Sequence, residues 1–358
     1  MYTITEYDGY KLFLPPAGHA ERFSAQFLQN VQSNQRFASE YSGLPLKKRI
    51  TGSFIYAHPP NYAGMRTLDY GVPEWHRELK RLKGFGIDTI IFQAALWNEL
   101  KECYYPSRTF KEYRTWNVIE PMLEAASALE LRVFLGGYGS VTCWMDKLNK
   151  QVVDSEKKRQ LQCFKELLRY RKHFHGFYFS PESTYNGSRD KRRETFLHQL
   201  YGELFSEIKN QEADLQIMMS PATFHYPGKM DEMADAWNAL LSGVALDILA
   251  PQDSIGCSCI TLEHQREAFE SWSKVARNQK LKLWTNVELF DLKEPLGSVH
   301  ARCTAAPERV LAQISNAAPY VEKMITWEAL FYTSPAAGAA GETLCRNIFN
   351  GQVNNLQR

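Results

Sequence analysis

The run ITGSFIYAHPPNYAGM, Ile50 to Met65, decides between two architectures. Its first half is an apolar, β-rich stretch. Its second half is the loop that would cradle a phosphate if this were the first strand of an open, doubly wound sheet. A cradle of that kind needs glycines and free backbone N–H groups. Here Pro59 and Pro60 follow the strand instead, and neither has an N–H to give.

Working outward, the same kind of run recurs at DTIIFQAALW from Asp88, RVFLGGYGS from Arg132, HGFYFSPE from His175 and LQIMMSPATF from Leu215. LDILAPQD from Leu246, LKLWTNVELF from Leu281 and KMITWEALF from Lys323 complete a set of eight. Between them lie stretches of helical period. In VPEWHRELKRLKGFG, Trp75, Leu79 and Leu82 share one face, and Gly84 and Gly86 suit the helix end. In DSEKKRQLQCFKELLRYRKHF, Asp154 reads as the N-cap, and Leu161, Phe164, Leu167 and Leu168 form one stripe. The helix starting near Thr261 lacks a proper capping box, because His264 stands where an acid or amide belongs. GETLCRNIF closes the series. Eight strand-then-helix units specify an α/β fold of the (β/α)8 TIM-barrel type over residues 50–358. Residues 1–49, with helical AERFSAQFLQNVQSNQRFASEYSG, read as an N-terminal helical extension packing on the barrel.

The 358 residues carry 42 basic and 40 acidic side chains, a net charge of +2, which offers no electrostatic footprint for nucleic acid or an anionic membrane. No stretch of eighteen apolar residues suggests a membrane span, and no basic segment followed by an apolar run suggests a signal peptide. A cytoplasmic location is the expectation, or a periplasmic or secreted one if a leader has been trimmed. The seven cysteines include no CxxC pair, so reduced thiols are expected.

Side chains alternate along a strand, so parity sorts those facing the barrel axis from those facing the helices. In LKLWTNVELF, Leu283, Thr285, Val287 and Leu289 share one parity, which suits the helix layer. Trp284, Asn286 and Glu288 share the other, which aims Glu288 into the carboxyl-end mouth, where barrel enzymes keep their chemistry. Strand four repeats this arrangement. Phe177 and Phe179 face out, Tyr178, Ser180 and Glu182 face in, and Pro181 breaks the strand. Burying a carboxylate costs several kcal/mol unless it is paired or used, and here two end separate strands of one mouth.

Gln252 and Asp253 end strand six, strand two offers Gln93 and Trp97, and strand eight offers Glu328. Aromatic groups crowd the same region: Trp97, Tyr138, Trp144, Tyr185, Phe224, His225, Tyr226, Trp284 and Tyr332. Their faces can stack on sugar rings while their polar edges hydrogen-bond. The candidate binding set is therefore Gln93, Trp97, Tyr138, Tyr185, His225, Tyr226, Gln252, Trp284, Asn286 and Glu328.

Paired carboxylates flanking a bond are the machinery of glycoside hydrolysis. Glu182 is assigned as acid/base, Glu288 as nucleophile or base, and Asp253 as a third catalytic acid. No cofactor and no metal ligand is required, and the expected partner is a carbohydrate. Two alternatives use the same residues. One is a sugar isomerase or epimerase whose divalent metal is held by the three carboxylates and His225. The other is a glycan-binding barrel without turnover.

The segments TGSFIYA, GIDTIIFQ, GFYFSPE, DILAPQDSIG, LWTNVELF and WEALFYTSP, in this order, resemble the bacterial domain-of-unknown-function family 4434. The resemblance runs from about Ile50 to Pro335, and APQDSIG and NVELF are its most specific pieces. It implies a glycosidase-like TIM barrel acting on carbohydrate, with acidic groups at Glu182, Asp253 and Glu288, in a family with many exported members.

Overall fold

The computed structural model describes residues 3–7, 10–14, 17–41, 46–57, 68–144, 148–292 and 302–350. The loop HPPNYAGM and the side chain of Trp144 lie outside the described residues. Eight parallel strands close a barrel in sequence order. They are β1 (Ile50–Ile55), β2 (Thr89–Phe92), β3 (Arg132–Gly136), β4 (Gly176–Phe179), β5 (Gln216–Met219), β6 (Ile248–Leu249), β7 (Lys282–Glu288) and β8 (Lys323–Trp327). β8 pairs back onto β1 through Met324 and Ile50, which closes the ring. Gly136 lets β3 approach β2, because a Cβ there would meet the carbonyl oxygens of Phe92 and Gln93 at 2.3 Å.

Helices α1 (Val72–Gly84), α2 (Ile119–Ala128), α3 (Lys150–Leu167), α4 (Lys191–Gln211), α5 (Met230–Leu241), α6 (Leu262–Gln279) and α7 (Pro307–Ala317) follow the first seven strands. Each presents an apolar stripe to the sheet. On α1 the buried residues are Trp75, Leu79 and Leu82, and Gly86 just beyond the helix takes φ +88°. Helix α3 starts earlier than Asp154 suggests. Its cap is Asn149, whose Oδ1 accepts the Val152 N–H at 3.0 Å, while Asp154 lies one turn inside, paired with Lys150.

Thr261 precedes α6 without a side-chain cap. The missing partner comes from the N-terminal helix, Ala17–Ala38, which packs against α6 and α7. Its Asn34 Oδ1 accepts the Leu262 N–H at 2.7 Å, and its Asn30 amide donates to the Ser258 carbonyl at 2.7 Å. This helix thereby holds the β6–α6 loop at the mouth of the barrel. Among the described residues, no helix is long and apolar enough to cross a membrane.

Candidate active site

Alternation places Phe177 against Phe164 of α3 and Phe179 against Tyr201 and Phe205 of α4, so the opposite parity of β4 turns inward. Glu182 follows that inward set on a segment pinned from both sides. Ser180 Oγ donates to the Gln93 carbonyl at 2.6 Å, and Ser183 Oγ lies 2.9 Å from the Tyr201 hydroxyl. The carboxylate is half-buried and shares the Gln252 amide, which also donates to the Ser220 carbonyl at 3.2 Å.

Glu288 ends β7 and is 3% exposed. Its Oε2 accepts the Cys257 N–H at 2.8 Å, and the Cys257 thiol donates to Oε1 at 3.5 Å. Gly256 makes this approach possible, since a Cβ there would sit 2.9 Å from Glu288 Oε2 and 2.2 Å from the Phe290 carbonyl oxygen. The backbone of Glu288 is fixed as firmly. Its N–H donates to Asp253 Oδ1 at 3.3 Å, and its carbonyl accepts from Arg309 Nη2 at 3.1 Å and from Gln313 Nε2 at 3.4 Å.

Both glutamates line one cavity of about 160 Å³. That is far above the roughly 10–15 Å³ that holds a single water. Gln93, Trp97, Gln252 and Asn286 share its wall, as the sequence suggests. Asn286 Oδ1 is buried and has no hydrogen-bond partner among the described residues, which leaves an acceptor for a ligand hydroxyl.

Tyr178, inward by parity, lines the cavity too, while other lining residues escape the sequence reading: Phe54, Tyr56, Cys257, Phe290, Arg302 and Trp327. Tyr56 packs edge-on against Trp97 at 5.8 Å and lies 5.7 Å from Trp327. Trp327 donates its indole N–H to Gln93 Oε1 at 2.6 Å. The Arg302 guanidinium sits over the Phe290 and Trp327 rings at 4.8 and 4.6 Å, bringing a positive charge to the carboxylates. It reaches the cavity from an antiparallel strand pair after β7, in which Phe290–Leu292 pairs with Arg302–Thr304.

Several expected contributors lie elsewhere. Asp253 is fully buried and does not line the cavity. Its carboxyl receives Gln313 Nε2 at 2.5 Å and the Ile255 N–H at 3.4 Å in addition to the Glu288 N–H, so it positions Glu288 rather than meeting a ligand. Pro251 is the reason that parity misleads there, since it leaves only two residues of regular strand in β6. Tyr138 is buried against Phe110, and Trp284 sits deeper in the barrel against Phe134. Tyr185 packs on Tyr226 and donates its hydroxyl to Glu232. His225 binds Glu267 and stacks on His264, so it does not join the three carboxylates as a common metal site would require. Glu328 faces a neighbouring cavity of about 240 Å³ beside Tyr70, Arg77 and Glu78, and its Oε2 accepts the Tyr56 N–H at 3.3 Å. Glu78, which lines that cavity with Glu328, is paired with Arg81 on α1 at 3.3 Å.

Burial raises the pKa of Glu182 to about 7; the Gln252 amide opposes this shift, the negative charge of Glu288 adds to it, and Arg302 tempers it. Burial also raises Glu288, against the Cys257 N–H and the charges of Arg309 and Arg302. Asp253 is raised by burial and by the charge of Glu288. Glu328, 2% exposed, is raised to about 8 by burial, with the Tyr56 N–H and Arg302 in opposition.

These shifts set the pH dependence of stability. A carboxyl with a folded pKa above its unfolded value of 4.5 holds its proton longer in the native state. Stability is then greatest below about pH 4.5 for this term, and it is lost as pH rises toward 8. Thermal midpoints measured from pH 5 to 9 are expected to fall, with Glu328 contributing a few kcal/mol. Glu328→Gln keeps the acceptor for Tyr56 and removes the titration, so it should flatten the slope. An unchanged slope in that variant would contradict the assignment.

A family model described as a domain of unknown function (DUF4434) matches residues 50–339. A crystal structure from Bacteroides thetaiotaomicron VPI-5482, provisionally described as an alpha-L-fucosidase, superposes with a TM-score of 0.69 at 19% identity. That match covers 87% of this chain and 98% of the other. The exo-beta-1,4-mannosidase Op5Man5 from Opitutaceae bacterium strain TAV5 gives a TM-score of 0.52 at 10% identity, covering 87% of this chain and 60% of the other. At these identities the likeness is one of fold. No curated protein matches the sequence significantly.

Proposed function

The chain belongs to the DUF4434 family, and from that premise we propose that it is a glycoside hydrolase in which Glu182 is the acid/base and Glu288 the nucleophile or base. The observation that carries this reading is the convergence of two carboxylates, from the ends of β4 and β7, on one aromatic-walled cavity. Their environments differ in the way the chemistry needs. Glu182, with a pKa near 7 and partial exposure, can hold a proton for the leaving oxygen. Glu288 is raised by burial as well, but the Cys257 N–H and the charges of Arg309 and Arg302 oppose that rise, and in this mechanism it acts in its ionised form. The indole and phenol rings of Trp97, Tyr56 and Trp327 supply stacking faces for a sugar.

The test is a screen of aryl glycosides and bacterial polysaccharides, followed by a pH profile on whichever substrate turns over. For the wild type, kcat/KM is expected to fall above about pH 7 as Glu182 loses its proton. Glu182→Ala should erase that limb and should act far better on a dinitrophenyl glycoside, whose leaving group needs no proton, than on an alkyl glycoside. Binding of glycans without turnover on any of them would favour the non-catalytic reading instead.

A further inference from the structure

The stacked histidines at the rim raise a question that glycoside hydrolysis does not answer. His225 lies on the loop after β5, while His264 and Glu267 occupy the first two turns of α6, three residues apart and so on one face of the helix. His225 Nε2 is 3.0 Å from Glu267 Oε2. The two imidazole rings lie 3.9 Å apart, only 7° from parallel. The side chain of His225 is nine-tenths buried, whereas that of Glu267 is half exposed. Among the described residues, neither the His264 ring nor the Glu267 carboxylate has any other hydrogen-bonding partner, and no other three His, Cys, Asp or Glu side chains meet as closely.

We propose that His225, His264 and Glu267 form a binding site for a divalent cation of the zinc class, separate from the cavity that holds Glu182 and Glu288. One donor atom from each residue lies within 4.8 Å of the others. Tetrahedral zinc with bonds of about 2.0–2.2 Å places neighbouring ligand atoms about 3.3 Å apart. The His225 and Glu267 pair already meets that spacing. The remaining closure is within the reach of side-chain rotation, which would turn the two rings out of parallel so that their lone pairs converge.

Two imidazoles and one carboxylate suit zinc, cobalt, nickel or copper rather than magnesium or calcium, which prefer oxygen alone. Three protein ligands leave a fourth position for water on the exposed side. A cation here would cross-link the β5–α5 loop to the start of α6, directly after the loop that carries Cys257. The proposal does not depend on the glycosidase reading.

Full-length protein, freed of metal by a chelator, is titrated calorimetrically with Zn²⁺ and followed by visible absorption with Co²⁺. The expected result is one equivalent bound, d–d bands of a four- or five-coordinate ion, and a thermal midpoint that rises with Zn²⁺. His264→Ala and Glu267→Gln should each weaken binding about tenfold or more and suppress the rise in midpoint. Glu267→Gln preserves shape on an exposed position and serves if His264→Ala folds poorly. Absence of saturable binding would overturn the proposal, as would affinity unchanged in Glu267→Gln. A thiolate-to-cobalt charge-transfer band would also overturn it by moving the ion to Cys257 and Cys259.

Discussion

Glu288→Gln is expected to lower turnover of a glycoside by about 1,000- to 10,000-fold while leaving the fold intact. The amide oxygen can still accept the Cys257 N–H that Glu288 Oε2 accepts at 2.8 Å, so the end of β7 keeps its shape. A neutral group also escapes the burial cost that raises the carboxyl's pKa, so stability should hold or improve. Only the negative charge is lost, and with it the ability to attack the anomeric carbon or to activate water. Initial rates on the best substrate from the screen, with thermal midpoints alongside, measure both halves of this expectation. A loss of less than about tenfold would remove Glu288 from the chemistry. If Glu288 is the nucleophile, Glu288→Ala should regain turnover in azide, which can enter the space left by the carboxylate and form a glycosyl azide.

Arg309→Ala is expected to destabilise the protein by about 3–5 kcal/mol, the range for breaking a buried charged network from one side. Arg309 is 5% exposed. From α7 it donates Nη2 to the carbonyls of Glu288 and Phe290 at 3.1 and 2.7 Å, and Nη1 to Gln313 Oε1 at 2.8 Å, while its Nε lies 3.0 Å from Asp291. Truncation leaves both carbonyls without that donor and removes a positive charge from beside Asp253 and Glu288. Urea unfolding of the variant against wild type gives the cost. A change below about 1 kcal/mol would mean that the network contributes little. Arg309→Lys should recover only part of the loss, because an ammonium cannot reproduce the planar fork.

Strand alternation explains what the sequence disclosed. Phe177 and Phe179, or Val287 and Leu289, are apolar on one parity because helices cover them, and that leaves Glu182 and Glu288 pointing the other way. Where regular strand stops, the rule stops with it. Asp253 follows Pro251, and the chain there turns the carboxyl behind β7 instead of into the cavity. Tyr185 and Tyr226 sit on loops and Tyr138 on a two-residue strand outside the barrel, where aromatic side chains pack sideways on one another with no period to betray their direction. Arg302 and Cys257 were equally hidden, since neither stands on a barrel strand whose alternation could aim it. The cap of α6 was legible only as a defect at Thr261. Its remedy, Asn34, stands 228 residues from Leu262, whose N–H it accepts.

The fixing of Glu288 by Asp253 from the β6–α6 loop and by Arg309 and Gln313 from α7 bears on how this barrel could be recombined. A crossover placed between the sixth and seventh units would separate Asp253 from the strand end it holds, and such a chimera would inherit an acid without its scaffold. A half-barrel boundary after α4 avoids this. One fragment would then carry Glu182 with its Ser180 and Ser183 anchors, and the other would carry Glu288 with all three of its supports, so each acid would travel as a finished part.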